Sequence, residues 1–443
     1  MTDATPASFA AHARLRWLHR TIALQYARRR VVDVMLGGGA GYFRQVALPP
    51  PWELPATRFV NTTAGLAAVQ ASTDSLPLLG LFAEHDLPWE IDRVPLEVPS
   101  LRQMASRAVE LLQAKASGQG EGQGEKGFFL LVEGSLIDKA AHANDLAAHV
   151  REIIAYDEAV GAMLAFARED GETLVISTSD HETGGLALGR DPVVRQPSAA
   201  FGPEAPLRTH SLMGEAEGVV DTAYAYHPEV LRNQTISADA MARAALLSAG
   251  VVADPCGGEG DPCSSSSTST STSTGNSNSS GGASTASATA AALSLATDSQ
   301  RRAALVTALV SQLRSAGGLS EVQGFEVHFL ENAVDLFAAA GARYALWGEG
   351  SSLYRALGTI MSSRAKVGWS TFSHSGVDVP LFSFGPGSDR FRGSLDNAEI
   401  GVRLAALMRL DLPAATAAVG TPLVAAEDLV GEQAAYAQWV PPP

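Results

Sequence analysis

Four short apolar runs, none of them alternating, constrain this chain more than any other feature. Residues 31–39 read VVDVMLGGG, 128–132 FFLLV, 173–178 TLVIST and 380–385 PLFSFG. A strand with one wet face alternates polar and apolar residues, whereas a run that is apolar throughout needs cover on both faces. Helix-like stretches separate the runs, among them residues 101–114 and 146–168. Together they predict an α/β fold, a three-layer α/β/α sandwich around a central, mostly parallel sheet. In such folds function collects at the carboxyl ends of the strands.

Composition excludes several classes. The 443 residues are 46% hydrophobic and 18% charged, the balance of a soluble globular chain. No uninterrupted apolar run approaches the roughly 18 residues of a membrane span. A formal net charge of -15 repels nucleic acid and anionic membranes, so an anionic substrate would have to meet local cations. Cys256 and Cys263 stand close together in a Gly/Pro/acidic stretch. They either close a small disulfide loop or remain two exposed thiols, and with no accompanying His or second Cys pair they do not read as a zinc site. The opening MTDATP lacks the basic and apolar regions of a secretory signal. Residues 253–297 are rich in Ser, Thr and Gly and cannot bury enough apolar surface to fold, so they read as a disordered insert. Helix-like patterns resume at 301–314 and 327–340.

Carboxylates and imidazoles follow the strand runs. In VEGSLIDKAAH, Glu133 and Asp138 come after FFLLV, and His142 lies four residues past Asp138. An i, i+4 pair shares one face of a helical turn and suits two ligands of one zinc ion, although that spacing also fits a surface hydrogen-bonded pair. TLVISTS ends in Asp180 and His181, followed by Glu182-Thr183-Gly184-Gly185, whose glycines allow the turn that would aim both side chains at one ion. His374 in SHSGVDVP precedes the last run; alone it fits a loop histidine equally well. On the helix from Leu146, Asp157 falls on the stripe of Val150, Ile153, Val160 and Leu164. It is therefore predicted to face inward, as a hydrogen-bonded acid beside a loop or as an acceptor orienting a metal-bound His.

The ordered set VEGSLIDKAAH, STSDHETGG and SHSGVDVPLFSFGPG, with TDATPASFAAHARLR and VDVMLGGG before it, resembles the alkaline phosphatases over roughly residues 1–190 and 365–402. The resemblance implies a zinc- and magnesium-dependent phosphate monoesterase, with two Zn2+ and one Mg2+. It implies Asp138, His142 and His374 as ligands of one zinc, and Asp180 and His181 as ligands of the second. Thr5 and Glu133 match magnesium ligands, with Asp3 beside that ion. Arg16 takes the place of the arginine that grips two phosphoryl oxygens, Arg14 being its alternative, and Lys139 that of a lysine reaching phosphate through water.

The same resemblance divides the chain into a core (1–252), the Ser/Thr-rich insert (253–300), an accessory crown region (301–364) and a completing segment (365–443). It implies small phosphate monoesters as substrates, a homodimer, and an extracellular, periplasmic or endomembrane location, while the net charge argues against a nucleic-acid partner. Deprotonation of a zinc-bound water and of a serine points to alkaline pH. The family's nucleophilic serine lies in an Asp-Ser-Ala segment ahead of TDATPA. Thr73-Asp74-Ser75 and Asp298-Ser299 do not replace it, the first reading as a loop. The expectation is therefore a chain without that front segment, bearing metal ligands but turning over little p-nitrophenyl phosphate. The rival readings are a phosphodiesterase or sulfatase of the wider superfamily, and a metal-binding remnant without catalysis.

Overall fold

The computed structural model describes residues 1–13, 15–29, 32–45, 57–117, 127–188, 192–194, 222–224, 226–252, 295, 298–340 and 351–418. Arg14, the two cysteines and nearly all of the Ser/Thr-rich stretch lie outside them. The chain divides into two compact units interleaved along the sequence: Met1–Leu136 with Arg151–Asp180 and Asp378–Pro443, and Ile137–Val150 with His181–Val377. The expected boundaries at 252, 300 and 364 all fall inside the second unit.

In the first unit Val34–Gly37 and Arg58–Val60 flank Leu78–Leu81, all parallel, with Val34 and Arg58 both opposite Leu78. The middle strand is buried at all four residues, and its two faces meet different helices. Leu79 and Leu81 join Ile22, Ala23 and Tyr26 of the helix His19–Arg29. Leu78 and the neighbouring Phe82 join Met104 and Leu111 of the helix Leu101–Ser117. Each fully buried aliphatic or aromatic side chain contributes about 1.5–3 kcal/mol, so cover on both faces is what keeps the apolar run in place. This is the α/β layering the runs predict.

Two other runs become strands that pair with each other. Val175–Thr178 lies antiparallel to Leu381–Phe384, Leu381 opposite Thr178. The parallel ladder among the described residues is thus three strands wide, and the remaining pairs are antiparallel.

The run FFLLV departs from expectation, because residues 127–134 form no ladder with the described residues. Apolar character alone does not make a strand; its N–H and C=O groups must find a neighbouring ladder. Here the side chains do the holding instead: Phe128 faces Phe166 with centroids 6.3 Å apart, and Phe129 stacks on Phe9 at 5.4 Å.

The helix Leu146–Asp170 corrects a second expectation. Within the first unit its buried positions are Glu152, Ala155, Ala159 and Ala167, while Ile153 and Ile154 are 41% and 50% exposed. Asp157 is exposed too. The large apolar residues drew the expected stripe, but the helix buries its small ones, which permit closer approach. The buried acid is therefore Glu152. Its Oε1 accepts from the Glu90 backbone N–H at 2.6 Å, and burial pushes its carboxyl up to about 7, with Glu90 and Asp92 adding to the rise and Arg93 opposing it.

The second unit carries the helices Ala238–Ser248, Ser299–Ser315, Gly324–Ala340 and Ser352–Arg364. Leu305, Leu309 and Leu313, one turn apart, are all inaccessible to solvent, as are Leu246, Leu330, Leu353 and Leu357. Asp298 caps its helix by accepting from Arg301 N at 3.0 Å, which gives that Asp-Ser pair a structural task. Fully buried Asp145 serves two helix starts, accepting from Ala148 N at 3.2 Å and Ala238 N at 2.8 Å. Close packing surrounds it: Ala140, Ala141, Ala143, Ala147 and Ala148 are buried, and a Cβ at Gly358 would sit 2.8 Å from the carbonyl oxygen of Ala143.

Candidate metal centre

Two local structures of the second unit bring imidazoles and a carboxylate together. The helix Leu136–His142 holds Asp138 in its first turn and His142 in its last, so Asp138 Oδ1 and His142 Nε2 lie 3.4 Å apart. Beyond it Asn144 takes a left-handed φ of 54° and the helix stops. The second structure is a two-residue ladder, with His374 opposite Thr183 and Ser375 opposite Glu182. Gly184, at φ 93°, makes the turn after it. A Cβ there would lie 2.5 Å from the Trp369 ring, so both its φ and its neighbour require glycine.

This ladder stacks the His181 and His374 rings with centroids 3.5 Å apart. The ligand atoms of Asp138, His181 and His374 all lie within 4.8 Å of one another. His374 Nε2 is 3.8 Å from Asp138 Oδ1 and 3.2 Å from His142 Nε2.

Hydrogen bonds orient these groups. His142 Nδ1 lies 2.7 Å from the carbonyl oxygen of Phe372. A carbonyl only accepts, so Nδ1 holds the hydrogen and Nε2 keeps a lone pair facing the cluster. Thr183 Oγ1 donates to Asp138 Oδ1 at 2.5 Å and sits 3.2 Å from His181 Nδ1. Arg355 places its guanidinium 4.9 Å from the centroid of the Phe372 ring. Glu182 is engaged elsewhere, accepting from Gly185 N and from the Ser375 hydroxyl. One carboxylate with three imidazole nitrogens is a donor set that suits zinc. Lys139 follows Asp138 on the helix and is half-buried. Sequence reading missed Thr183, although it stands only two residues past His181, in the strand Glu182–Thr183.

The other expected residues belong to the first unit. Asp3 caps the helix Ala4–Ala10, accepting from Ala4 N at 2.8 Å, and also accepts from Arg16 Nη2 at 3.3 Å. Thr5, in that helix, hydrogen-bonds the Glu133 side chain. Glu133 is held above its ordinary value, chiefly by burial and then by the charges of Asp3 and Asp180, while Thr5 and the chain's amino terminus pull the other way. Glu133 as a whole residue is exposed; the packing of its carboxyl group is what governs the proton. Asp3, Thr5 and Glu133 offer oxygen donors alone, the type that a hard cation such as magnesium takes. Ser75 lies apart, buried in the one-turn helix Thr73–Ser75 with its hydroxyl 3.3 Å from that of Ser72.

Comparison with known proteins identifies the family. Residues 1–249 match the family model described as alkaline phosphatase. The repressible alkaline phosphatase of Saccharomyces cerevisiae is 39% identical over 231 residues, which are 46% of this chain and 40% of that protein. An alkaline phosphatase of Schizosaccharomyces pombe is 28% identical over 419 residues, 90% of this chain and 60% of that one. The chain thus spans less than two thirds of either relative. The crystal structure of a cold-active alkaline phosphatase from Shewanella sp. superposes with a TM-score of 0.58 at 26% identity, covering 92% of this chain and 73% of that one.

Proposed function

Because this chain belongs to the alkaline phosphatase family, matching its model over residues 1–249, we propose that it carries the metal-holding part of a phosphate monoesterase site. The observation that carries the reading is the convergence of Asp138, His181 and His374 within 4.8 Å, with His142 Nε2 3.2 Å from His374 Nε2. Nothing in the cores requires those polar groups to meet, and a shared cation would give them a reason to.

The finer assignment follows the family pattern. Asp138, His142 and His374 would hold one zinc, Asp180 and His181 contribute to a second, and Thr5, Glu133 and Asp3 serve magnesium. Bound zinc supplies a Lewis acid for the phosphoryl oxygens and lowers the pKa of the attacking and leaving groups. The protein's own residues orient and neutralise. Phe372 O fixes the His142 tautomer, Thr183 fixes the Asp138 carboxylate, and Arg16 offers a planar fork to two phosphoryl oxygens, with Lys139 as a further cation. The accessory role of residues 301–364, homodimerisation, and an exported location belong to the same proposal.

The test has two arms. Zinc and magnesium in the purified protein are measured after dialysis, for the parent and for Asp138→Ala and His374→Ala. Hydrolysis of p-nitrophenyl phosphate, its diester and its sulfate ester is measured on the intact protein between pH 6 and 10, a window spanning the roughly neutral pKa of zinc-bound water. Zinc lost in both variants is expected, with little turnover overall and that little favouring the monoester. Equal zinc in parent and variants, or a preference for diester or sulfate, would reject the reading.

A further inference from the structure

The helix that carries Asp138 and His142 is braced at both ends by one chain of hydrogen bonds and a ring contact. At its start, His149 Nδ1 lies 3.0 Å from the carbonyl oxygen of Ile137, the residue before Asp138. The carbonyl only accepts, so Nδ1 donates. The His149 ring, 8% exposed, meets Trp369 edge to face at 5.5 Å and 77°. Trp369 Nε1 donates to Ser362 Oγ at 3.0 Å, and Ser362 donates to the carbonyl oxygen of Asn144 at 2.8 Å, just past His142. The face of Trp369 fills the space beneath Gly184, in the turn that follows His181 and Thr183.

We propose that His149 is a positioning residue for the metal centre: its Nδ1–H fixes the carbonyl ahead of Asp138, and with it the directions in which Asp138 and His142 present their ligand atoms to zinc. An aliphatic side chain would fill the same volume without burying an imidazole. One hydrogen bond does little more than offset that desolvation. Fold stability therefore gives little reason for a histidine here, whereas aligning the helix does. The inference rests on the metal-centre reading above.

Two polar substitutions separate alignment from bulk. The amide nitrogen of His149→Asn can occupy the place of Nδ1, while that of His149→Gln lies one bond farther out. Zinc affinity is measured for parent and variants by competition with a chromogenic chelator, alongside the melting temperature of the metal-free chains. His149→Gln is expected to weaken zinc binding by about 10–100-fold, the range seen when an outer hydrogen bond to a metal site is removed. His149→Asn is expected to recover most of the loss, with the two metal-free chains melting alike. Equal zinc affinity in the two variants, or a His149→Gln chain that fails to fold, makes His149 an ordinary core residue and overturns the proposal. A parent that binds no more zinc than Asp138→Ala instead defeats the metal-centre reading itself.

Discussion

Replacing Glu152 with glutamine should leave the protein's stability unchanged in mild acid and raise it in mild alkali. Glu152 is 8% exposed, and its carboxyl titrates at about 7 against a reference of 4.5. A carboxyl raised in the folded state keeps its proton where the unfolded chain has already released it. Its favourable contribution is therefore complete below pH 4.5 and is lost as pH climbs through about 7. At 1.36 kcal/mol per pKa unit, the span from 4.5 to about 7 is worth roughly 3 kcal/mol. Above it, the ionised carboxylate remains buried beside Glu90 and Asp92, with Arg93 compensating in part. Glutamine keeps an oxygen for the Glu90 N–H and never ionises. Urea unfolding of parent and Glu152→Gln from pH 4 to pH 9 should give curves that coincide at the acid end and separate by up to about 3 kcal/mol at the other. A difference that stays constant with pH would show that Glu152 is ionised throughout and that the reasoning fails.

Other outcomes follow from single contacts. Gly184→Ala forces a Cβ to within 2.5 Å of the Trp369 ring at φ 93°; strain of this kind costs about 1–3 kcal/mol, and unfolding midpoints should fall while zinc binding weakens. A variant as stable as the parent would contradict that turn. Asp145→Ala leaves two buried helix-start N–H groups unmet and should cost roughly 3 kcal/mol, against about 1 kcal/mol for Asp298→Ala at the exposed cap; denaturant titrations showing the reverse order would reject the two-helix role of Asp145. Zinc at one hundred times its Kd should stabilise the parent by about 2.7 kcal/mol and Asp138→Ala by far less, read as the shift in thermal melting.

The sequence was most informative where the chain repeats a simple rule. Residues 101–114 and 146–168 are helices with ends only two or three residues farther on, at Ser117 and Asp170. The strand at Leu78–Leu81 was not among the four runs, because Pro77 before it and Gly80 within it disguise its apolar length. FFLLV had the composition of a strand, but pairing depends on a neighbour that no local pattern specifies. At the metal centre, Asp138 and His142 were legible as an i, i+4 pair, while their meeting with His181 and His374 depends on a two-residue ladder too short to leave a periodic signal. The orienting groups were hidden for a related reason. Thr183, His149 and the carbonyl of Phe372 act through contacts 45, 12 and 230 residues away in sequence.

Around the end of the helix that carries Asp138 and His142, Ala140, Ala141, Ala143, Ala147 and Ala148 all wall off solvent with nothing larger than a methyl, and Gly358 brings another helix directly onto the Ala143 carbonyl. Neither alanine nor glycine has a side-chain torsion with which to make way for a neighbour. A push on this wall therefore cannot be absorbed by a rotamer change and passes to the main chain that carries Asp138 and His142. The backing of the site is inelastic for want of moving parts.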